Sequence, residues 1–513
     1  MLKVSVLAGL LGVMLDSMGA TAAGPVVRTN SGAVSGITQP GLRVFLGIPY
    51  ARPPIGTLRW RAPQAPIPWH GVRAATHFAA SCFQDEPKPF GPYTAEFLIT
   101  PERSEDCLYL NVWAPTAGHA GKWPVYFFIH GGAFQAGGAS VPVYDGADLA
   151  RKGAVVVTIN YRLGVLGFLA HPELTRESTL GSSGNYGVLD VIAALRWVRA
   201  NISGFGGDPG KVTIAGQSAG AAGVNDLLMS PLAKGLFQRA VIESGPILGI
   251  PMPSLAEAER AGSAVAAKLN AGSIAALRAV PPMELAKVAL LASPFPNIDG
   301  KVIAANPEQL DARVLTKVPV IAGYNRDETA PALVPQTVAT LENSVRQRFG
   351  ALADRFLALY PHGTDAEAAR SGAELARDRY IAALLLWAKG RTARGEPVYA
   401  YLFEHTFPGN DSAGYGAFHT AEVPYIFGAL TLPGVTFTPD DHRVSDEMQQ
   451  RWLSFMRTGN PNPGGGSTPW PDTGHAPPFV WRIGSVDSGP VIDAERLALF
   501  RDFLAQGGKL SIF

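Results

Sequence analysis

The sequence predicts an α/β protein built on one large, mainly parallel sheet with helices packed on both faces. Three observations lead there. Strand-like apolar runs alternate with helix-like segments along much of the chain. The run over 154–159, within GAVVVTINYRLG, is almost wholly apolar and rich in β-branched residues, as a strand buried on both faces is. Of the 513 residues, 47% are hydrophobic and 17% charged, which suits a compact chain with a sizeable core and not a disordered one. Lys+Arg is 43 and Asp+Glu 42, with no basic run and no acidic tail, so nothing here points to nucleic acid or another polyanion as partner.

The elements follow in order. Residues 1–23 read as a secretory signal peptide: Lys3 supplies a short positive region, 4–15 are apolar but too few to span a bilayer, and small residues precede Ala22 and Ala23. The alternative is a buried N-terminal helix. Residues 24–513 are then read as a single domain, secreted or periplasmic, with no membrane span. VVRTNSGAVSG predicts a β-hairpin with Asn30, Ser31 and Gly32 in the turn. LYLNVWAP, WPVYFFIHGG and the 154–159 run follow as strands. GNYGVLDVIAALRWVRANI carries Val188, Val191, Ile192, Leu195, Val198 and Ile202 at helical spacing and predicts an amphipathic helix. KVTIAG is the next strand, with a helix after Ser218. FQRAVIES, VPVIAGY, PVYAYLFEH and FVWRIG are further strands. Residues 250–400 are richer in helical segments and are expected to insert over the sheet. In SDEMQQRWLSFMRTGNPN, Ser445 is the expected N-cap of a helix that Gly459 ends, with Met448, Trp452, Phe455 and Met456 on its apolar face. The two cysteines, Cys82 and Cys107, are expected to pair if the chain is exported; two reduced core thiols are the alternative.

Two short stretches carry chemistry. TIAGQSAGA sets Ser218 between glycines, after a strand and before a helix. That is the context of a nucleophile elbow, in which a strained turn lifts the hydroxyl to the carboxyl end of a sheet beside a helix N-terminus. A small residue in a glycine-rich bend is the alternative. FFIHGGAF runs a strand into successive small residues, whose backbone N–H groups can approach a substrate oxygen. A serine alone is a weak nucleophile and requires a base, which in turn requires an orienting acid.

With these stretches stand FLGIPYARPPIGTLRW (45–60), SEDCLYLNVWAP (104–115), NYRLGVLGFL (160–169), GNYGVLDVIAALRWVRANISGFGGDP (184–209), NIDG (297–300), GYNRDE (323–328) and FHTAEVPYIFG (418–428). In this order they resemble the type B carboxylesterases, the cholinesterase-like branch of the α/β-hydrolases, over nearly all of 24–513. The resemblance implies an α/β-hydrolase fold with helical insertions over the active site. It implies a triad of Ser218, Glu328 and His419, oxyanion donors on the backbone of Gly132, Ala133 and Ala219, and a disulfide between Cys82 and Cys107. Ser244, in VIESG, matches a family serine that hydrogen-bonds behind the triad. Asp327 is read as a solvated or salt-bridged neighbour of Glu328. No metal or cofactor is implied, and the partner is a small ester.

Departures from the resemblance bear on the substrate. Cholinesterases carry a tryptophan in the first disulfide loop, where its ring binds a quaternary ammonium, and a glutamate before the nucleophile. This chain has no tryptophan between Cys82 and Cys107, and has Gln217 before Ser218. Another aromatic of that loop, such as Tyr93 or Phe97, is the alternative that could replace the missing ring. Upstream of NIDG, VALLASPF offers Phe295 as its sole aromatic, so a roomier acyl pocket is expected. The reading is a serine carboxylesterase for neutral or anionic esters with a bulky acyl or aryl group. Its rivals are a non-catalytic binding protein on the same fold, and a hydrolase acting mainly on amides or lactones.

Overall fold

The computed structural model describes residues 24–510, apart from 101, 117–121, 249–251, 289–294, 307–314, 330–336, 410–413, 466–467 and 486–488. The signal peptide expected over 1–23 lies outside the described residues. The sheet has ten strands: β1 Ile37–Gln39, β2 Leu42–Pro49, β3 Tyr109–Pro115, β4 Trp123–Ile129, β5 Val155–Ile159, β6 Gly207–Gln217, β7 Arg239–Glu243, β8 Val320–Asn325, β9 Val398–Phe403 and β10 Val480–Ile483. Their spatial order is β10-β9-β8-β7-β6-β4-β5-β3-β2-β1. From β10 to β5 every neighbouring pair is parallel; from β5 to β1 every pair is antiparallel. Parallel neighbours require long crossovers, which is why helices fill the chain between these strands. The apolar patterning had not singled out β1 and β2, which extend the antiparallel edge.

The central strands are buried on both faces, and alternate residues go to different cores. In β4, Val125, Phe127 and Ile129 join one cluster while Tyr126 and Phe128 join the other. β5 divides in the same way, with Val155, Val157 and Ile159 against Val156. Helices α1 (Tyr186–Asn201), α2 (Ala219–Leu228) and α3 (Asp365–Thr392) pack on the first side; α4 (Pro439–Thr458) packs on the second with Met448, Trp452, Phe455 and Met456.

Three local expectations change. In the hairpin Val26–Thr29 pairs antiparallel with Gly32–Ser35, so Gly32 opens the second strand instead of closing the turn. The Trp69 indole lies where its side chain would stand, 2.4 Å from an ideal Cβ, which is why glycine serves there. α4 starts well before Ser445. Thr438 caps it, accepting from Asp441 N while the Asp441 carboxylate accepts from Thr438 N, and Pro439 takes the first position, where no N–H is needed. Ser445 is buried inside the helix and donates to the Tyr425 carbonyl at 2.7 Å. Gly459 ends the helix as expected, at φ 82°. The third change is α1, which is buried nearly all round and not along one stripe.

Cys82 and Cys107 are joined by a disulfide. The loop that it closes forms one wall of a deep cleft at the carboxyl end of the parallel strands. Among the described residues no helix is long and apolar enough to cross a membrane.

α1 carries a fully buried Asp190, which periodicity did not explain. Its carboxylate accepts from Arg162 Nε and Nη2, both at 2.7 Å, and from the Arg162 backbone N–H at 3.1 Å. Arg162 also donates to the Arg61 carbonyl at 2.9 Å. The pair anchors the segment that continues into Leu163 and Gly164 on the cleft wall. Removing one partner leaves a buried charge without compensation. Asp190→Ala is therefore expected to destabilise the fold by about 3–5 kcal/mol, read from denaturant melts; a loss under about 1 kcal/mol, the range of exposed pairs, would contradict this account.

Candidate active site

β6 ends at Gln217 and α2 begins at Ala219, so the chain reverses at one residue. Ser218 has φ 57° and ψ −121°, a conformation that L residues rarely adopt. Its neighbours explain how it is held. A Cβ built on Gly220 would stand 2.0 Å from the Ile129 carbonyl oxygen, and one on Gly216 would stand 2.4 Å from the Gly220 carbonyl carbon. One on Gly131 would come 3.0 Å from the Ser218 Cβ. The flanking residues must be glycines because strand, turn and helix pass at backbone contact. Ser218 N donates to the Glu243 carbonyl at 2.9 Å, tying the turn to β7.

After β4 the chain turns tightly through Gly132 (φ 106°), Ala133 (φ 53°) and Phe134 (φ 58°). The Gly132 carbonyl accepts from Gln135 and Ala136 N–H, each at 2.9 Å. Gly132 and Ala133 are exposed toward the same cavity as Ser218. Ala219, as the first residue of α2, has an N–H without an intrahelical acceptor. His130, just before the turn, is buried and stacked on Tyr161 with ring centroids 4.5 Å apart. Burial pushes its pKa down to about 4, against a smaller upward effect of its hydrogen bond with Gly131 O, so it stays neutral.

Glu328 follows β8 and His419 follows β9, and the structure brings them together. His419 Nδ1 lies 2.5 Å from Glu328 Oε2, and Glu328 Oε1 accepts from Asn325 N at 2.8 Å. The two loops are sewn to each other. Asp327 N donates to Ala417 O at 3.0 Å, Ala417 N donates to Asp327 Oδ2 at 2.8 Å, and Asn325 Nδ2 donates to Phe418 O at 2.7 Å. The Tyr93 hydroxyl reaches from the disulfide loop to the His419 carbonyl at 2.9 Å. Asp327 is ion-paired with Arg326 at 2.8 Å, and it also holds the histidine loop. Nε2 of His419 faces the Gln217 carboxamide nitrogen at 3.1 Å.

Behind these residues lie carboxyls that sequence reasoning missed. Ser244, at φ 51° after β7, donates to Glu422 Oε1 at 3.5 Å, and Asn325 Nδ2 donates to Glu422 Oε2 at 2.5 Å. Burial, then the charge of Glu328, pushes Glu422 up to about 7 despite the Asn325 hydrogen bond. Glu243 is also raised well above the ordinary carboxylate range, by burial and then by Glu422, and its Oε1 accepts from the Tyr126 hydroxyl at 2.9 Å. For His419, burial alone would lower the pKa, but the charge and hydrogen bond of Glu328, with a smaller effect of Glu422, outweigh it and leave the pKa raised. The one signal for Glu422 in the sequence is its place three residues after His419.

Ser218, His419, Gln217, Gly132 and Ala133 line a cavity of about 650 Å³. Tyr93, Phe97 and Tyr144 supply aromatic wall, and Asp85, Glu86 and Lys88 stand on the stretch of disulfide loop that lines it. Most of the VALLASPF stretch lies outside the described residues; Phe295 is partly exposed, with its ring 6.3 Å from that of Phe134.

A mixed, mainly parallel sheet of this order, with a left-handed serine at the strand–helix turn, defines an α/β-hydrolase. Residues 23–488 match the model of the carboxylesterase family, and the chain belongs to that family. It is a carboxylic ester hydrolase. It is 38% identical over 475 residues to the fumonisin B1 esterase of Sphingopyxis macrogoltabida, covering 87% of this chain and 84% of that one. It is 35% identical over 462 residues to the para-nitrobenzyl esterase of Bacillus subtilis, covering 85% and 90%. A solved PNB esterase structure superposes with a TM-score of 0.72 at 33% identity, over 87% of this chain and 93% of that one.

Proposed function

We propose that Ser218 is the nucleophile of this esterase, His419 its general base and Glu328 the acid that orients the base. The observation that carries this is the 2.5 Å contact of His419 with Glu328 beside a left-handed serine in one cavity. Ser218 Oγ attacks the ester carbonyl carbon as its proton passes to His419 Nε2. Glu328 holds the Nδ1 proton and stabilises the imidazolium. The N–H groups of Gly132, Ala133 and Ala219 receive the oxyanion. The alcohol leaves with the proton from His419, and an acyl-serine remains. Water then gives a proton to His419, attacks the acyl carbon and releases the acid.

The preferred substrates are neutral or anionic esters with a bulky acyl or aryl group. Gln217 puts an uncharged carboxamide beside the nucleophile, and Tyr93, Phe97 and Tyr144 offer aromatic surface. One relative is named for a para-nitrobenzyl ester, whose alcohol part carries an aromatic ring. The leader over 1–23 and the disulfide support a secreted or periplasmic location.

Ser218→Ala keeps a small residue at the turn and removes the nucleophile. Turnover is expected to fall roughly 10⁶-fold with an unchanged circular dichroism spectrum; near-wild-type turnover would rule the assignment out.

The base must be neutral to accept the serine proton. Because the His419 pKa is raised above its ordinary value of ~6.5, activity should be full well above that pH and fall as pH drops through a midpoint above ~6.5. The measurement is kcat/KM against pH on a neutral ester, and a flat profile down to about pH 5 would exclude His419 as the base.

Charge preference is read by comparing a choline ester with its uncharged isostere, in which carbon replaces the quaternary nitrogen. A desolvated cation–π contact is worth ~2 kcal/mol, more than tenfold in affinity. Here Tyr93 and Phe97 are engaged edge-on with Phe418, at centroid distances of 5.7 Å each. No advantage in kcat/KM is expected for the choline ester; a tenfold advantage would contradict the stated preference.

A further inference from the structure

One buried side chain on the cavity floor has no task in the mechanism above. Gln217 is 2% exposed and directly precedes Ser218. Its Nε2 lies 3.1 Å from His419 Nε2. Its Oε1 is wedged against Gly131, where an added Cβ would come within 2.8 Å of it. The carboxamide is thus held between the turn after β4 and the imidazole.

The chemistry of the ring sets the direction of this hydrogen bond. Nδ1 carries the proton shared with Glu328, so the neutral ring presents a lone pair at Nε2. The carboxamide N–H donates to that lone pair. It is the same lone pair that must accept the Ser218 proton. A donor placed on it favours the neutral ring and opposes protonation. Gln217 therefore acts against Glu328, whose charge favours the imidazolium. A carboxylate of the same length would instead add to Glu328.

We propose, resting on the assignment of His419 as base, that Gln217 is a positioning residue which caps Nε2 in the substrate-free enzyme and keeps the imidazole neutral. The cap gives way as the Ser218 proton passes to Nε2. Ester hydrolysis thereby extends to lower pH than a glutamate at this position would allow.

Other charged and titratable groups face the ring. Glu328 meets Nδ1; Glu422 lies in the same segment with Glu243 behind it. Tyr93 holds the His419 carbonyl, Tyr144 shares the cavity, and the Arg326–Asp327 pair supports residue 417. Glu422 titrates near the range of interest and is neutralised in the test.

The test compares the wild type with Gln217→Glu, each also carrying Glu422→Gln. Two readouts are taken: the acid limb of kcat/KM, and the His419 ring titration followed by nitrogen NMR. Both midpoints are expected to rise by about one pH unit or more in Gln217→Glu, with or without Glu422. Activity lowered equally at every pH, with unmoved midpoints, would mean that Gln217 only packs and would overturn the proposal. A second measurement needs no variant. The Gln217 side-chain amide resonance of the wild type should follow the His419 titration with the same midpoint; an amide shift independent of pH overturns the proposal even if Gln217→Glu does not fold. Labelling of Ser218 by an aryl phosphonate separates this inference from the reading beneath it. A wild type that is not labelled overturns both, whereas labelling with unmoved midpoints overturns the role of Gln217 alone.

Discussion

The cleft depends on a steric constraint at the carboxyl end of β6. Gly216, Gly220 and Gly131 bring a strand, a helix and a neighbouring turn to backbone contact, and no side chain larger than hydrogen fits at these three places. That closeness forces the reversal into the single residue Ser218. A left-handed serine costs about 1–3 kcal/mol, and it persists because both sides of the turn are fixed. The hydrogen bond to Glu243 holds it from β7, and the first turn of α2 holds it from the other side. Ala133, Phe134, Ser244 and Thr420 are also left-handed, so strained residues collect around this edge of the sheet.

Around that edge the electrostatics are arranged by burial. Glu328, Glu422 and Glu243 stand close enough to influence one another. Like charges in a shared apolar site cannot all be carried cheaply, so proton affinity rises for the two that do not touch the imidazole. Glu328 has donors on both oxygens, Asn325 N on one and His419 on the other. Ser244 and Asn325 meet the two oxygens of Glu422, and Tyr126 meets one oxygen of Glu243, whose Oε2 is buried without a hydrogen-bond partner among the described residues. The cluster is thus tuned toward one charged partner for one ring. The histidine loop is sewn to the loop after β8 through Asp327 and Asn325, which leaves little freedom in where that ring sits.

Much of this was legible in the chain. Strand positions from β3 to β10 were readable because strands buried on both faces, parallel in all but β3, are nearly continuous apolar runs. The turn at Ser218 and the turn after β4 were readable because glycine marks places where backbones meet. The start of α4 was misread because Thr438 and Pro439 lie ahead of a polar stretch without apolar period, while Ser445 stands where that period becomes visible. The hairpin turn was displaced by one residue because Gly32 answers to Trp69, a partner far along the chain.

The sequence by itself determined the fold class, the order of the elements and the identity of the residues that the resemblance marks, since all of these follow from local pattern and motif. Tertiary structure alone decided what those residues touch. Arg162 with Asp190, Ser244 with Glu422, and Gln217 with His419 are pairs separated by 28, 178 and 202 positions. No periodicity joins such positions; their distances are set by how strands stack and helices pack. The same packing excludes water, and exclusion of water is what turns a nearby carboxyl or carboxamide into a control on the proton of His419.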